Sequence, residues 1–212
     1  MSSGLGTLLC VIGFTVLAAM QSDEKSRGEE PKGGLMKSSE EDRVSIVDFS
    51  KDTPVWRTVD DVVMGGISAS GFKVVDGVGV FQGTVSLENN GGFASARSKP
   101  SLHDLSAYEG LVLRVKGDGK RYSVRLRTSP AFDGVSYQTE IQPKADAWTA
   151  IRVPFTKFKA VFRGRPVPSA PRLDPSQVHI FGLLIAGKQE GPFRFEIAQI
   201  DAYGPMAPGE GG

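Results

Sequence analysis

The 212-residue sequence has few of the residues that build metal centres and disulfides, with one cysteine and two histidines. Cys10 lies in an N-terminal apolar run, so the rest of the chain has no disulfide, cysteine-based zinc site or cysteine nucleophile. Two histidines are too few for a multi-histidine metal centre. An excess of charge is also lacking, because 25 Lys and Arg against 24 Asp and Glu give a net charge of +1. This balance argues against a strongly basic nucleic-acid-binding protein, so we expect no nucleic-acid partner.

The N-terminal apolar run is short for a membrane-spanning helix. Residues 7–19 are continuously apolar or small, whereas a helix that crosses a bilayer needs about 20 residues. The run suits the core of a secretory signal, with Ala18 and Ala19 near a cleavage point, although no Lys or Arg precedes it. Extended to residues 5–20, it also suits an uncleaved anchor.

We therefore expect residues 1–22 to be a signal peptide or membrane anchor. The protein would then be exported (periplasmic or extracellular) or anchored in a membrane. Residues 23–43 are rich in charged residues, Ser and Gly. Such a segment cannot bury enough surface to offset the entropy lost on ordering, so we predict a disordered linker.

The body of the chain shows the short alternating runs of an all-β domain. From Val44 onward, apolar runs are broken by Gly, Pro, Asn and Asp, and no long window has helical spacing. Residues 178–187 are apolar on both faces and predict a central strand. Residues 163–177 contain four prolines and predict a long surface loop. The predicted strands are 44–49, 55–59, 71–75, 78–87, 92–98, 110–117, 121–128, 135–142, 148–154, 178–187 and 192–203.

These strands predict one antiparallel β-sandwich over residues 44–204, followed by a flexible tail over 205–212. The alternating runs 110–117 and 121–128 are joined by Gly117–Lys120, which predicts a hairpin turn. In the last strand the apolar phase changes, which predicts a β-bulge around Ala198 and Gln199.

Two stretches, Trp56–Phe72 and Phe81–Ser98, hold the most unusual residues. Asp60 and Asp61 are adjacent, so in a strand they point to opposite sides and are poorly placed as an acid and base pair. The glycine pairs do not have the spacing of a phosphate-binding loop. The serines lack the context of a nucleophile elbow. The Asn and Gly pairs indicate tight turns or close backbone approach.

Three other groups of residues leave alternatives open. Asp48, Asp60, Asp61, Glu88 and Asp201 are candidate calcium ligands in principle, but no dense carboxylate loop is present, so we predict no metal or cofactor.

The aromatic and basic residues are equally ambiguous. Trp56 and Trp148 are either core residues or platforms for a sugar. Strand alternation turns a set of arginines outward, where they are either simply solvated or able to bind an acidic partner or a phosphate. These are Arg97, Arg114, Arg125 and Arg127.

The two motif blocks resemble a known family. They read W-x-x-x-DDVVMGG-x-S-x-S-x-F from Trp56 and F-x-G-x-VSLENNGGFAS-x-R-S from Phe81. The downstream segments GLVLRVKGDGKRYSVRLRT, W-x-x-IRVPF and FGLLIAGKQEGPFRFEIAQIDAY agree. Over roughly Val44 to Tyr203, the chain resembles the complex I intermediate-associated protein 30 family.

The resemblance implies a galactose-binding-like jelly-roll sandwich that acts without catalysis. Members of that family help to assemble the membrane arm of respiratory complex I in a chaperone-like way. The expected partners are therefore proteins, membrane complex subunits among them, with membrane association through residues 5–20. The leader is not Arg-rich, as a mitochondrial transit peptide would be. The alternative is an exported carbohydrate-binding module whose ligand is a glycan.

The resemblance also places candidate binding residues along one edge of the sandwich. They are Trp56, Asp60, Asp61, Gly65, Gly66, Ser68, Asn89, Asn90, Gly91, Gly92, Phe93 and Arg97.

Overall fold

A computed structural model describes residues 43–51 and 55–204. The expected signal or anchor over 1–22, the linker up to residue 42 and the tail over 205–212 lie outside the described residues. Among the described residues, no helix is both long and apolar enough to cross a membrane.

The described chain folds into strands with four single-turn 3₁₀ helices. The strands are β1 (Arg43–Asp48), β2 (Trp56–Asp60), β3 (Ala69–Val75), β4 (Val78–Val85), β5 (Ala94–Ser98), β6 (Gly110–Lys116), β7 (Tyr122–Arg127), β8 (Ser136–Ile141), β9 (Thr149–Pro154), β10 (Lys159–Phe162), β11 (Arg165–Pro166), β12 (Ile180–Ile185) and β13 (Gly191–Tyr203). The 3₁₀ helices are Asp61–Met64, Glu88–Asn90, Phe155–Lys157 and Pro175–Gln177.

The strands form two antiparallel sheets. The six-stranded sheet has the order β3-β4-β13-β6-β9, with β1 also paired to β13. The seven-stranded sheet has the order β11-β10-β8-β7-β12-β5-β2. The long strand β13 pairs with β4 along its first half and with β1 along its second half.

The core lies between the two sheets and is built from alternating inward side chains. Phe195 on β13 and Tyr122 on β7 meet across the sandwich with ring centroids 4.8 Å apart. Phe195 is fully buried and Tyr122 is 1% exposed. Burial of such aromatic surface is the main favourable contribution to folding a disulfide-free sandwich. The predicted all-β jelly-roll sandwich is confirmed.

Most sequence predictions of single strands are confirmed. Each of the eleven predicted strands is present within a few residues of its predicted bounds. The register of β13 shifts between Ile197 and Gln199, which is the predicted bulge. The apolar strand β12 is buried along its whole length in the middle of the seven-stranded sheet. The prediction missed β10 and β11, which are short and lie at the end of that sheet.

The predicted hairpin at Gly117–Lys120 is wrong. Strand β6 belongs to the six-stranded sheet and β7 to the seven-stranded sheet, so this segment crosses between them. Asp118 stabilises the crossing by accepting hydrogen bonds from the Lys120 amide and the Tyr122 hydroxyl, both at 3.0 Å. Alternation indicates which side chains are buried, but it does not indicate which strand is the neighbour.

Replacing Phe195 with alanine tests the position of the core. We expect Phe195→Ala to lower the free energy of unfolding by about 3–5 kcal/mol, because it removes a large buried ring and leaves a cavity. Chemical denaturation of the full chain measures the change. Phe132→Ala is the matched control, because Phe132 is 72% exposed. A loss as large in the control as in Phe195→Ala would contradict this assignment of the core.

Candidate functional site

The two motif blocks meet at the carboxylate of Asp61, which is fully buried. Its Oδ1 accepts the Ser68 amide at 2.9 Å, and its Oδ2 accepts the Ser68 hydroxyl at 2.5 Å. The same Oδ2 accepts the Gly92 amide at 2.6 Å and the Phe93 amide at 3.3 Å. One side chain therefore joins the loop 61–68 to the turn that precedes β5.

The environment of Asp61 keeps its carboxyl group ionised. Burial by itself would raise the pKa, but hydrogen bonds from Ser68, Gly92 and Phe93 hold the pKa of Asp61 below its ordinary value. A buried carboxylate with these donors is a stable structural anion. It is unsuited to proton transfer, because a general base needs a pKa near the working pH.

Glycines make room for this carboxylate. A Cβ added to Gly66 would overlap the Asp61 carboxyl carbon, and one added to Gly91 would lie 2.6 Å from Oδ2. Gly65 and Gly92 have φ values of 90° and 128°, which side-chain-bearing residues rarely adopt. The predicted role of the glycine pairs in turns and close backbone approach is confirmed.

Asp60 and Asp61 do not share a strand, because β2 ends at Asp60 and Asp61 begins a 3₁₀ helix, and Asp60 has a separate partner. Its carboxylate accepts the Ser70 amide at 2.8 Å and the Ser70 hydroxyl at 2.5 Å. Because Asp60 ends β2 and Ser70 lies on β3, this contact joins edge strands of the two sheets. Asp61 therefore holds the loop 61–68, and Asp60 holds together the strands on either side of that loop.

The remaining motif residues divide between turn, core and surface. Asn89 and Asn90 are exposed and have positive φ values of 53° and 59°, which confirms a turn. Trp56 is 8% exposed and its ring stacks on Phe72 at 4.8 Å, so Trp56 is a core residue and not a sugar platform. Phe93 remains partly exposed beside the outer face of the seven-stranded sheet.

An exposed apolar loop was not identified from the sequence. Within loop 61–68, Val62, Val63, Met64 and Ile67 are 62%, 72%, 63% and 52% exposed. We call these four residues the apolar crest. The run of three apolar residues before the Gly65-Gly66 pair was visible in the sequence. However, such a run is as compatible with burial as with exposure.

A cleft of about 450 Å³ lies beside the apolar crest on the outer face of the seven-stranded sheet. Arg97, Arg125 and Arg127 line it, and we call it the arginine cleft. Val63, Met64 and the exposed ring of Phe132 also line it. The predicted arginine face is thus confirmed for three of its four members. Arg114 lies on β6 in the other sheet, where its guanidinium is 5.7 Å from the Trp148 ring centroid.

The candidate calcium ligands do not form a cluster. Asp61 is occupied by hydrogen-bond donors, Asp48 forms an ion pair with Lys51 at 3.0 Å, and Asp201 accepts the Gln199 amide at 2.7 Å. Within residues 43–51 and 55–204, no group of three or more His, Cys, Asp or Glu side chains is placed to hold a metal ion.

Comparison with known proteins gives the relationship of this chain. Residues 47–197 match the family model described as complex I intermediate-associated protein 30. An uncharacterized protein of Schizosaccharomyces pombe is 30% identical over 176 residues, which cover 72% of this chain and 80% of that protein. The mitochondrial complex I intermediate-associated protein 30 of Drosophila melanogaster is 28% identical over 145 residues. That alignment covers 58% of this chain and 49% of the fly protein, so the chain spans about half of that relative.

A solved structure shows the same fold. The family 11 carbohydrate-binding module of a Clostridium thermocellum cellulase superposes with a TM-score of 0.62 at 18% identity. The superposition covers 76% of this chain and 94% of the module. At this identity the likeness concerns the fold alone.

Removal of the Asp61 carboxylate tests whether it holds the two motif blocks together. We expect Asp61→Ala to lower the free energy of unfolding by about 3 kcal/mol, because buried amide donors lose their acceptor. Urea denaturation at pH 7 measures this loss. A loss no larger than that of an exposed aspartate would contradict the assignment.

Asp104→Ala is the matched control, because Asp104 also accepts a serine amide and hydroxyl but is exposed and local. We expect little change in this variant. The lowered pKa of Asp61 adds a second readout. The stabilisation that the ionised Asp61 carboxylate provides is fully present above its unfolded-state pKa of 3.8. It is lost as the pH falls through the lower pKa of the folded state. The stability difference between wild type and Asp61→Ala should therefore narrow on acidification.

Proposed function

We propose that this chain, which belongs to the complex I intermediate-associated protein 30 family, is a non-catalytic assembly or chaperone-like factor. Its proposed partner is a protein subunit of a membrane complex of the respiratory complex I type. The name of the fly relative supports this role, because that protein is described as a mitochondrial complex I intermediate-associated protein. We further propose that residues 5–20 keep the domain at a membrane or direct its export.

The observation that carries the proposal is the apolar crest. Four apolar side chains that are each more than half exposed lie within six residues of one loop. Contiguous exposed apolar surface is unfavourable in water and is typical of a protein interface. In a domain with no partner, such a patch would only promote aggregation.

The rigidity of the loop strengthens this interpretation. Asp61 and Asp60 fix the start of the loop to Ser68 and Ser70 at its end. A loop that is already ordered loses little conformational entropy when a partner binds. The crest is therefore presented in a fixed shape, as the apolar centre of an interface requires.

The surroundings of the motif acids favour binding over catalysis. Asp61 is inaccessible and its pKa is lowered, and the Asp60 carboxylate accepts hydrogen bonds from Ser70. Asp61 therefore lacks the exposure and the raised pKa that would favour a general acid or base.

Negative charge on the apolar crest is expected to weaken capture of the partner strongly. Full-length Val63→Asp, Met64→Asp protein, tagged and recovered from its native cells in mild detergent, should retain roughly tenfold less of the partner subunits than wild type. The reason is that an interface centre tolerates a desolvated charge poorly. Mass spectrometry of the eluates measures the loss.

The matched control is Val75→Asp, Leu102→Asp, which places the same charges on exposed apolar residues outside the crest. This control should retain the subunits. Equal retention by the crest variant and wild type would refute the crest as the interface.

A second candidate function, glycan binding, is favoured by one observation. Trp148 is 38% exposed and lines a cleft of about 550 Å³ together with Arg114, Gln199 and Asp201. An exposed aromatic ring beside polar groups suits a sugar. A glycan array probed with wild type and Trp148→Ala tests this candidate. Binding that disappears in the variant would support it, and an empty array would remove it.

A further inference from the structure

The arginine cleft gathers positive charge at one place through strand register. Gly182 on β12 pairs with Arg97 on β5 at one side and with Arg125 on β7 at the other. Because outward residues of paired strands lie side by side, Arg97 and Arg125 flank a position that has no side chain. Arg127 follows two residues along β7 on the same outward face. The glycine leaves an open floor between the guanidinium groups.

Within the described part of the chain, none of these three arginines forms a direct ion pair with a carboxylate. Asp133, the acid that lines the cleft, pairs with Arg163 at 2.6 Å, and its charge also acts on Arg97 and Arg127 but is not a cause of the shift at Arg125. Arg127 donates to the carbonyl oxygens of Ala131, Phe132 and Gly134. Arg127 is therefore committed to holding the loop that carries Phe132.

Arg125 is the member whose guanidinium remains available. Among the described residues, its hydrogen bond is from Nε to the Gln138 side-chain oxygen at 3.0 Å, which leaves the terminal nitrogens for a ligand. Burial, followed by the charges of Arg97 and Arg127, lowers the pKa of Arg125 to about 10. Partly buried like charges oppose one another and lower the stability of the free protein. A loss of stability from unrelieved repulsion is typical of a binding site rather than of a structural contact.

We infer that the arginine cleft binds the carboxylate side chains of an acidic, partly apolar segment of the protein partner. This inference rests on the proposed function. The terminal nitrogens of Arg125 match a carboxylate, which an arginine binds in bidentate fashion. Arg97 beside it adds positive charge, while its Nη1 donates to the Phe132 carbonyl oxygen at 3.1 Å. The apolar part of the segment would contact Phe132, Val63 and Met64, which line the same cleft. Because Val63 and Met64 also belong to the apolar crest, the cleft continues the proposed interface.

Selection from a random dodecapeptide phage library on the immobilised full-length protein tests the inference. We expect enrichment of peptides that combine Asp or Glu with large apolar residues. The selected peptides should bind Arg125→Gln at least tenfold more weakly than wild type in calorimetry, and should weaken as salt is added. Replacing the peptide acids with amides should cause a similar loss, and no further loss should follow in Arg125→Gln.

Two controls separate a binding role from a structural one. Arg114→Gln removes an arginine from the other sheet and should leave peptide affinity unchanged. Thermal unfolding should show Arg125→Gln as stable as wild type or more stable, because it relieves repulsion. Arg127→Gln should be less stable, because it releases three carbonyl groups. A clear loss of stability in Arg125→Gln would mark that residue as structural and overturn the inference.

The remaining outcomes distinguish the inference from the proposed function. Selected peptides without acidic enrichment, or acidic peptides that bind Arg125→Gln as tightly as wild type, would overturn the inference. If the native pull-down keeps its subunits in Arg125→Gln but loses them in the crest variant, the proposed function stands and the inference fails. If both Arg125→Gln and the crest variant lose the partner subunits, and the selected peptides are acidic, the result supports both the inference and the proposed function.

Discussion

The structure depends on one buried anion. The carboxylate of Asp61 accepts hydrogen bonds from residues 68, 92 and 93. Residue 68 is distant from residues 92 and 93 along the sequence, so the fold has to bring them together. Without this acceptor, the buried Ser68 amide and the partly buried amides of Gly92 and Phe93 would be unpaired, which is costly in a protein interior. The glycines at 66 and 91 follow from this requirement, because a side chain at either position would collide with the carboxylate. The two motif blocks of the sequence therefore form one hydrogen-bonded contact around the Asp61 carboxylate.

This contact at Asp61 also sets the position of the surface that we propose to be functional. Val63 and Met64 lie on the loop that Asp61 closes, and both reach the arginine cleft. The cleft is also lined by Phe132, whose loop is held by Arg127. Asp61 and Arg127 thus hold the two segments whose apolar side chains lie beside Arg125, at the surface that we propose to bind a partner. Rigid walls around a charged floor suit a binding domain, because little order has to be gained on association.

The sequence predicted the strands well because each strand records its own burial, by alternation in β7 and by a continuous apolar run in β12. It failed where a property depends on a distant neighbour. Alternation could not reveal that β6 and β7 lie in different sheets, or that Arg114 is separated from the other three arginines. It could not reveal that Asp61 is buried, because its donors are up to 32 residues away. Phe132 lies in a turn with no periodic pattern, so only the fold places it in the cleft.

The central claim is that the Asp61 carboxylate holds the two motif blocks together in the folded protein. Amide hydrogen exchange of the unmodified full-length protein, resolved by residue, tests this most directly. The amides of Ser68 and Gly92 lie outside the strands, yet each donates to Asp61. The account predicts that both exchange far more slowly than exposed loop amides such as that of Val63. Exchange of both amides at the rate of an unprotected loop would contradict it.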